Sequence, residues 1–83
     1  MSSAPRLARP IRPPVRLILT PRQRQICDLL TCGAQNEEIG QLLHLATRTI
    51  KYEFGQIYSV NRIRGGIRRV KLAISYYREQ NRE

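Results

Sequence analysis

The sequence predicts an all-α protein, a small four-helix domain behind a flexible N-terminal arm. Three observations lead there. Apolar residues recur at three- and four-residue spacing in four separate stretches between residues 21 and 78. No stretch alternates apolar and polar residues over a useful strand length. Four of the five prolines fall in residues 1–16, ahead of all four stretches. With 83 residues and 41% hydrophobic content there is material for one packed core. A body of this size buries only about 60% of the surface its unfolded chain exposes, so it encloses no large substrate cavity.

Residues 1–16 read as the arm and residues 17–83 as the folded domain. Pro5, Pro10, Pro13 and Pro14 remove amide donors and exclude a helix from the arm. Arg6, Arg9 and Arg12 recur every third residue and would share one edge of a polyproline II helix. Such an arm is either a solvated extension or a segment that follows a phosphate backbone or enters a minor groove.

The packed part begins near Leu19. Thr20-Pro21-Arg22-Gln23 is a helix start: Thr20 offers a cap, Pro21 suits the first helical position, and Gln23 completes a capping box. Ile26, Leu29 and Leu30 share one face, and Gly33 suits a left-handed stop, which gives a first helix over about 21–32. Asn36 is the expected cap of a second helix over about 36–43, where Ile39, Leu42 and Leu43 supply the buried face. Gly40 among them lets another helix cross closely. His44-Leu45-Ala46 is a tight connection, with His44 in a structural role. A third helix follows over about 47–60, with Ile50, Phe54 and Ile57 on one stripe. Gly65-Gly66 punctuates a loop, and a fourth helix covers about 67–78.

Charge narrows the function. Fifteen Lys and Arg stand against six Asp and Glu, a formal net charge of +9, and such an excess in so small a chain points to a polyanionic partner. The excess lies in the arm and in residues 48–83. No apolar run approaches the 18 or so residues of a membrane span, and Leu17-Ile18-Leu19 is too short for a signal-peptide core. Cys27 and Cys32 lie about 140° apart on a helical wheel and cannot bridge within one helix. With His44 they make three potential zinc ligands where four are wanted. No metal or other cofactor is expected, and the cysteines read as reduced thiols of a cytoplasmic protein. No base, nucleophile or carboxylate pair accompanies His44, so no enzymatic activity is expected.

A short helix, a three-residue turn and a longer helix form a helix-turn-helix, whose second helix enters the DNA major groove. With Ile50 at 0° on a wheel, the core side of the third helix lies near about 20°. The opposite side carries Arg48, Tyr52, Gly55, Gln56 and Ser59, flanked by Lys51 and Thr49. None is acidic, and Glu53 falls on the edge nearer the core. Arg and Lys read guanine, Gln reads adenine, and hydroxyls bind phosphate.

Three blocks carry a resemblance. Leu19-Thr20-Pro21-Arg22-Gln23-Arg24-Gln25-Ile26 resembles the "LTPREREVL" opening of LuxR/GerE-type DNA-binding domains. Asn36-Glu37-Glu38-Ile39-Gly40 resembles their "NKEIA" segment, and Thr47-Arg48-Thr49-Ile50-Lys51-Tyr52 their "ERTVKY". The resemblance spans about residues 19–75 and implies a four-helix helix-turn-helix regulator that binds inverted-repeat sites as a dimer. By position, Lys51, Tyr52 and Gly55 match the base-approaching side of the recognition helix, and Thr47, Arg48 and Thr49 lie near the phosphates. Four departures stand out. Ala46 replaces the usual cap serine, so Thr47 caps instead or the helix start frays. Glu53 replaces a common histidine, and His44 replaces the turn glycine. Val60-Asn61-Arg62-Ile63-Arg64-Gly65-Gly66 replaces "KLGVxNR", where Arg62 and Arg64 offer substitute phosphate contacts.

The fourth helix carries a broad apolar arc of Ile67, Val70, Ala73, Ile74 and Tyr77, which suits the core, and a narrower strip of Leu72 and Tyr76. Two strips suggest a partner, and in the resembled family this helix makes the dimer contact. The candidate interface is therefore Val70, Leu72, Ala73, Tyr76 and Tyr77, with the inward strip left open. The function expected is a transcription regulator that binds double-stranded DNA as a homodimer and contacts no membrane. RNA polymerase or another regulator is a further candidate partner. The rival reading is an antiactivator or co-regulator that pairs with another regulator through the fourth helix.

Overall fold

The computed structural model describes residues 16–81, and the arm expected at 1–16 lies, Arg16 apart, outside them. Four helices follow in order: α1, Pro21–Thr31; α2, Asn36–Leu43; α3, Thr47–Val60; and α4, Arg68–Gln80. Residues 16–81 contain no strand.

Each boundary has a local cause. The Thr20 hydroxyl accepts from the Gln23 amide at 3.1 Å, and the Gln23 side chain accepts from the Thr20 amide at 2.9 Å, the expected capping box. α1 stops at Gly33, whose φ of 90° favours glycine, with Ala34 N–H donating to Leu29 O and Gly33 N–H to Leu30 O. The cap of α2 differs from expectation. Gln35 is the capping residue and Asn36 the first helical one; the Glu38 carboxylate accepts from the Gln35 amide at 2.7 Å. The backbone turns into helix one residue earlier, where the Glu38 side chain reaches it. Ala46 precedes α3 with no side-chain cap, so Thr47 does not cap either.

The core joins Leu17, Ile26, Cys27, Leu30, Ile39, Ile50, Phe54, Ile57, Ile63, Leu72 and Tyr76. Leu17 belongs to it, so packing starts two residues before the predicted Leu19. Leu42, expected inside, is exposed. Gly40 is where α2 meets the turn into α3: a Cβ there would lie 2.6 Å from the Leu45 carbonyl oxygen. The close approach is thus to the turn's own backbone first and to Ile50 second.

In α4 the narrower strip turns inward, a choice the sequence leaves open. Leu72 and Tyr76, the narrower strip, are buried, with Ser75 between them, while Ile67, Val70, Ile74 and Tyr77 are 46–67% exposed. The broad arc has more apolar residues, but the inward side is chosen by fit and by polar partners. The Tyr76 hydroxyl reaches Asp28 on α1 at 2.6 Å. Arg69 donates to Asn36 Oδ1 at 2.7 Å and to Ala34 O at 2.9 Å, with its guanidinium over the Phe54 ring. A buried phenol needs such an acceptor, and Asp28 supplies it.

One link was not anticipated. The Asn61 side chain accepts from Ile18 N–H at 2.7 Å and donates to Ile18 O at 3.1 Å and to Ile57 O at 2.9 Å. The segment leading into α1 is thereby fixed to the C-terminal end of α3.

Candidate nucleic-acid interface

The outer side of α3 is free of the protein's own chain. Arg48, Lys51, Tyr52, Gly55, Gln56 and Ser59 are all exposed, Tyr52 by 63%. Thr47 and Thr49, in the first turn, are half-buried. A helix places these residues on one side because they recur at three- and four-residue intervals opposite Ile50, Phe54 and Ile57, which the core takes up. A Cβ on Gly55 would meet nothing within 4 Å, so packing does not require glycine there.

Glu53 would spoil this surface if it were free. It is half-buried, accepts from Gln23 Nε2 at 3.0 Å, and has the Arg22 guanidinium 3.5 Å from its other oxygen. The one carboxylate of α3 is thus tied to α1 and partly neutralised.

Arg62 and Arg64 are exposed in the loop beyond α3. They follow the last turn of α3, roughly 20 Å along the helix axis from Arg48. Arg62 is left-handed, with φ of 55°, and Ile63 N–H donates to Tyr58 O at 2.9 Å behind it. Gly65 and Gly66 are left-handed too, and the Arg64 carbonyl accepts from Lys71 Nζ at 2.7 Å. At the other end of α3, His44 takes the left-handed position after α2, with φ of 60°. A shallow open depression beside Thr47 and Lys51 is lined also by Gln35, Asn36, Glu37 and Arg69.

Of the five dimer candidates, Leu72 and Tyr76 are spent in the domain's own core and cannot meet a partner. Val70 and Tyr77 are exposed, Ala73 is half-buried, and Ile67 and Ile74 join them on the outer strip.

The thiols are free, Cys27 buried and Cys32 exposed. Burial, reinforced by Asp28, pushes the Cys27 thiol up to about 12. Burial and the hydrogen bond to Asp28 push the Tyr76 phenol up to about 12. Burial also raises Tyr58, against the opposing pull of Arg69 and of Arg68, whose guanidinium stacks on its ring. None of these groups faces outward from α3, so they serve the core. No group of three or more metal-ligating side chains occurs among the described residues, and no helix among them is long and apolar enough to cross a membrane.

Sequence reasoning passed over Arg22, Asn61 and Arg69. Arg22 was visible only as a helix-start residue, and nothing local pairs it with Glu53, 31 positions away.

No curated protein and no solved structure matches the chain. A family model described as bacterial regulatory proteins, luxR family, matches residues 17–59, more than half of the chain. That range holds α1, α2 and nearly all of α3, and it stops where Val60–Gly66 departs from the family pattern. The chain belongs to the luxR family of bacterial regulatory proteins, DNA-binding transcription regulators built on the helix-turn-helix.

Proposed function

We propose that this chain regulates transcription in the cytoplasm as a dimer that lays α3 in the major groove of duplex DNA. The observation that carries the reading is the exposed side of α3, which has cations, amide, hydroxyl and phenol groups and no free carboxylate. Lys51, Tyr52, Gly55 and Gln56 approach base edges, and Thr47, Arg48 and Thr49 meet phosphates at the helix start. Arg62 and Arg64 extend the phosphate contacts at its far end. Affinity comes largely from counterion release and base choice from α3. Residues 17–83 form the DNA-binding unit and residues 1–16 an arm.

Selection of bound duplexes from a random pool at two salt concentrations tests this. A preferred sequence should emerge. Lys51→Ala or Tyr52→Ala should then weaken the preferred site more than random DNA, and equal losses on both would remove the specificity assignment.

The dimer is assigned to the outer strip of α4, Val70, Ala73 and Tyr77 with Ile67 and Ile74. The same strip supports the second reading, a co-regulator that pairs with a different regulator. Sedimentation on a full site separates them: two copies per duplex favour the homodimer, and one copy that binds without sequence preference favours the co-regulator.

A further inference from the structure

We infer that Arg22, on α1, is a phosphate contact of the DNA interface and that Glu53 of α3 holds it in place. The inference rests on the major-groove reading of α3 given above and extends the interface to a helix outside the helix-turn-helix.

A helix about 10–12 Å across fills a groove about 12 Å wide, so a sugar–phosphate wall runs along each of its sides. One side of α3 presents Lys51 and Thr47. The other presents Thr49, Glu53 and Gln56 and has no cation of its own. An unpaired carboxylate there would face phosphate across a short gap. Glu53 is instead turned inward, bonded to Gln23 Nε2 and 3.5 Å from the Arg22 guanidinium. The side chains are 15% and 52% exposed for Glu53 and Arg22, so the pair shows solvent its positive end. A guanidinium has five N–H donors in a rigid fork, and one nitrogen facing Glu53 leaves others free for a phosphate oxygen. The capping box of Thr20 and Gln23 fixes the first turn of α1, which carries Arg22. Gln23 joins the two functions, capping α1 and holding Glu53.

Fluorescence anisotropy of the full chain tests this, with a labelled duplex of the selected sequence and a scrambled one, titrated across salt. Arg22→Gln should make the slope of log affinity against log salt shallower by about 0.9, equally on both duplexes. Arg22→Lys should keep the slope. Arg22 itself is exposed and Glu53 keeps its bond from Gln23, so the thermal midpoint of each Arg22 variant should stay near wild type. Glu53's part is read from a cycle: Arg22→Gln should cost less affinity in a Glu53→Gln background than alone. Additive effects would remove Glu53's holding role. A wild-type chain that binds duplex while Arg22→Gln keeps the full slope overturns the Arg22 assignment alone. A wild-type chain that does not bind duplex overturns this assignment and the reading of α3 together.

Discussion

Gln23 and Glu53 touch, with Gln23 Nε2 donating to Glu53 Oε1 at 3.0 Å. Each stands where the resembled motifs carry a different residue, glutamate in the α1 opening and histidine in α3. The two departures therefore form one exchange of partners. A Glu53→His change alone leaves the new ring beside an amide, and Gln23→Glu alone sets two carboxylates at hydrogen-bond distance. Each single variant should lose about 1–2 kcal/mol. The double variant should recover most of the loss, and chemical denaturation of all four chains measures the coupling.

Gly40 and Gly55 should answer alanine oppositely. At Gly40 the new Cβ meets the Leu45 carbonyl at 2.6 Å, and the expected cost is about 1–3 kcal/mol. At Gly55 it meets open space, and the helix should gain about 1 kcal/mol, or some 4–8 °C in thermal midpoint. If the Gly55 backbone approaches DNA, Gly55→Ala must also bind its site more weakly. A stabilised variant of undiminished affinity would exclude that approach.

His44 and Arg62 are the two non-glycine residues with positive φ among those described. Replacing either with glycine relieves strain but frees the unfolded chain, for a net gain of about 0.5–1 kcal/mol. Thermal melts should show both variants more stable. Only Arg62→Gly should also flatten the salt dependence of DNA binding, because only it removes a cation.

Alkali should unfold the domain. The folded Cys27 and Tyr76 pKa values lie near about 12, raised from 9.0 and 10.0. A raised acid holds its stabilisation below its unfolded pKa and loses it as pH climbs toward the folded one. Stability should be level to about pH 9 and fall between pH 9 and 12. Cys27→Ala and Tyr76→Phe should each make that fall less steep, as denaturant midpoints across pH would show. A fall of unchanged steepness in both variants would remove these two groups as its cause.

The helices were legible because their signals are local. Thr20-Pro21-Arg22-Gln23 and Gly33 mark both ends of α1, and the stripe Ile50, Phe54, Ile57 fixes the inner side of α3, hence its outer side too. What escaped depends on residues far apart in sequence. Tyr76 is inside because Asp28, 48 positions earlier, accepts its hydroxyl, and a wheel drawn on α4 alone cannot see that. Asn61 reads as a loop residue until Ile18 lies beside it. The wheel puts Glu53 on the edge nearer the core, but its partners Arg22 and Gln23 lie 31 and 30 positions away and leave no local signal.

Asn61 grips Ile18 by both of its backbone groups, and Leu17 just before it is sunk in the core. The two residues that lead into α1 are therefore pinned to the C-terminal end of α3, and they turn with it as one piece. A change at Asn61 would thus be felt at the start of α1, about 40 positions earlier in the chain, before it is felt in the loop that follows.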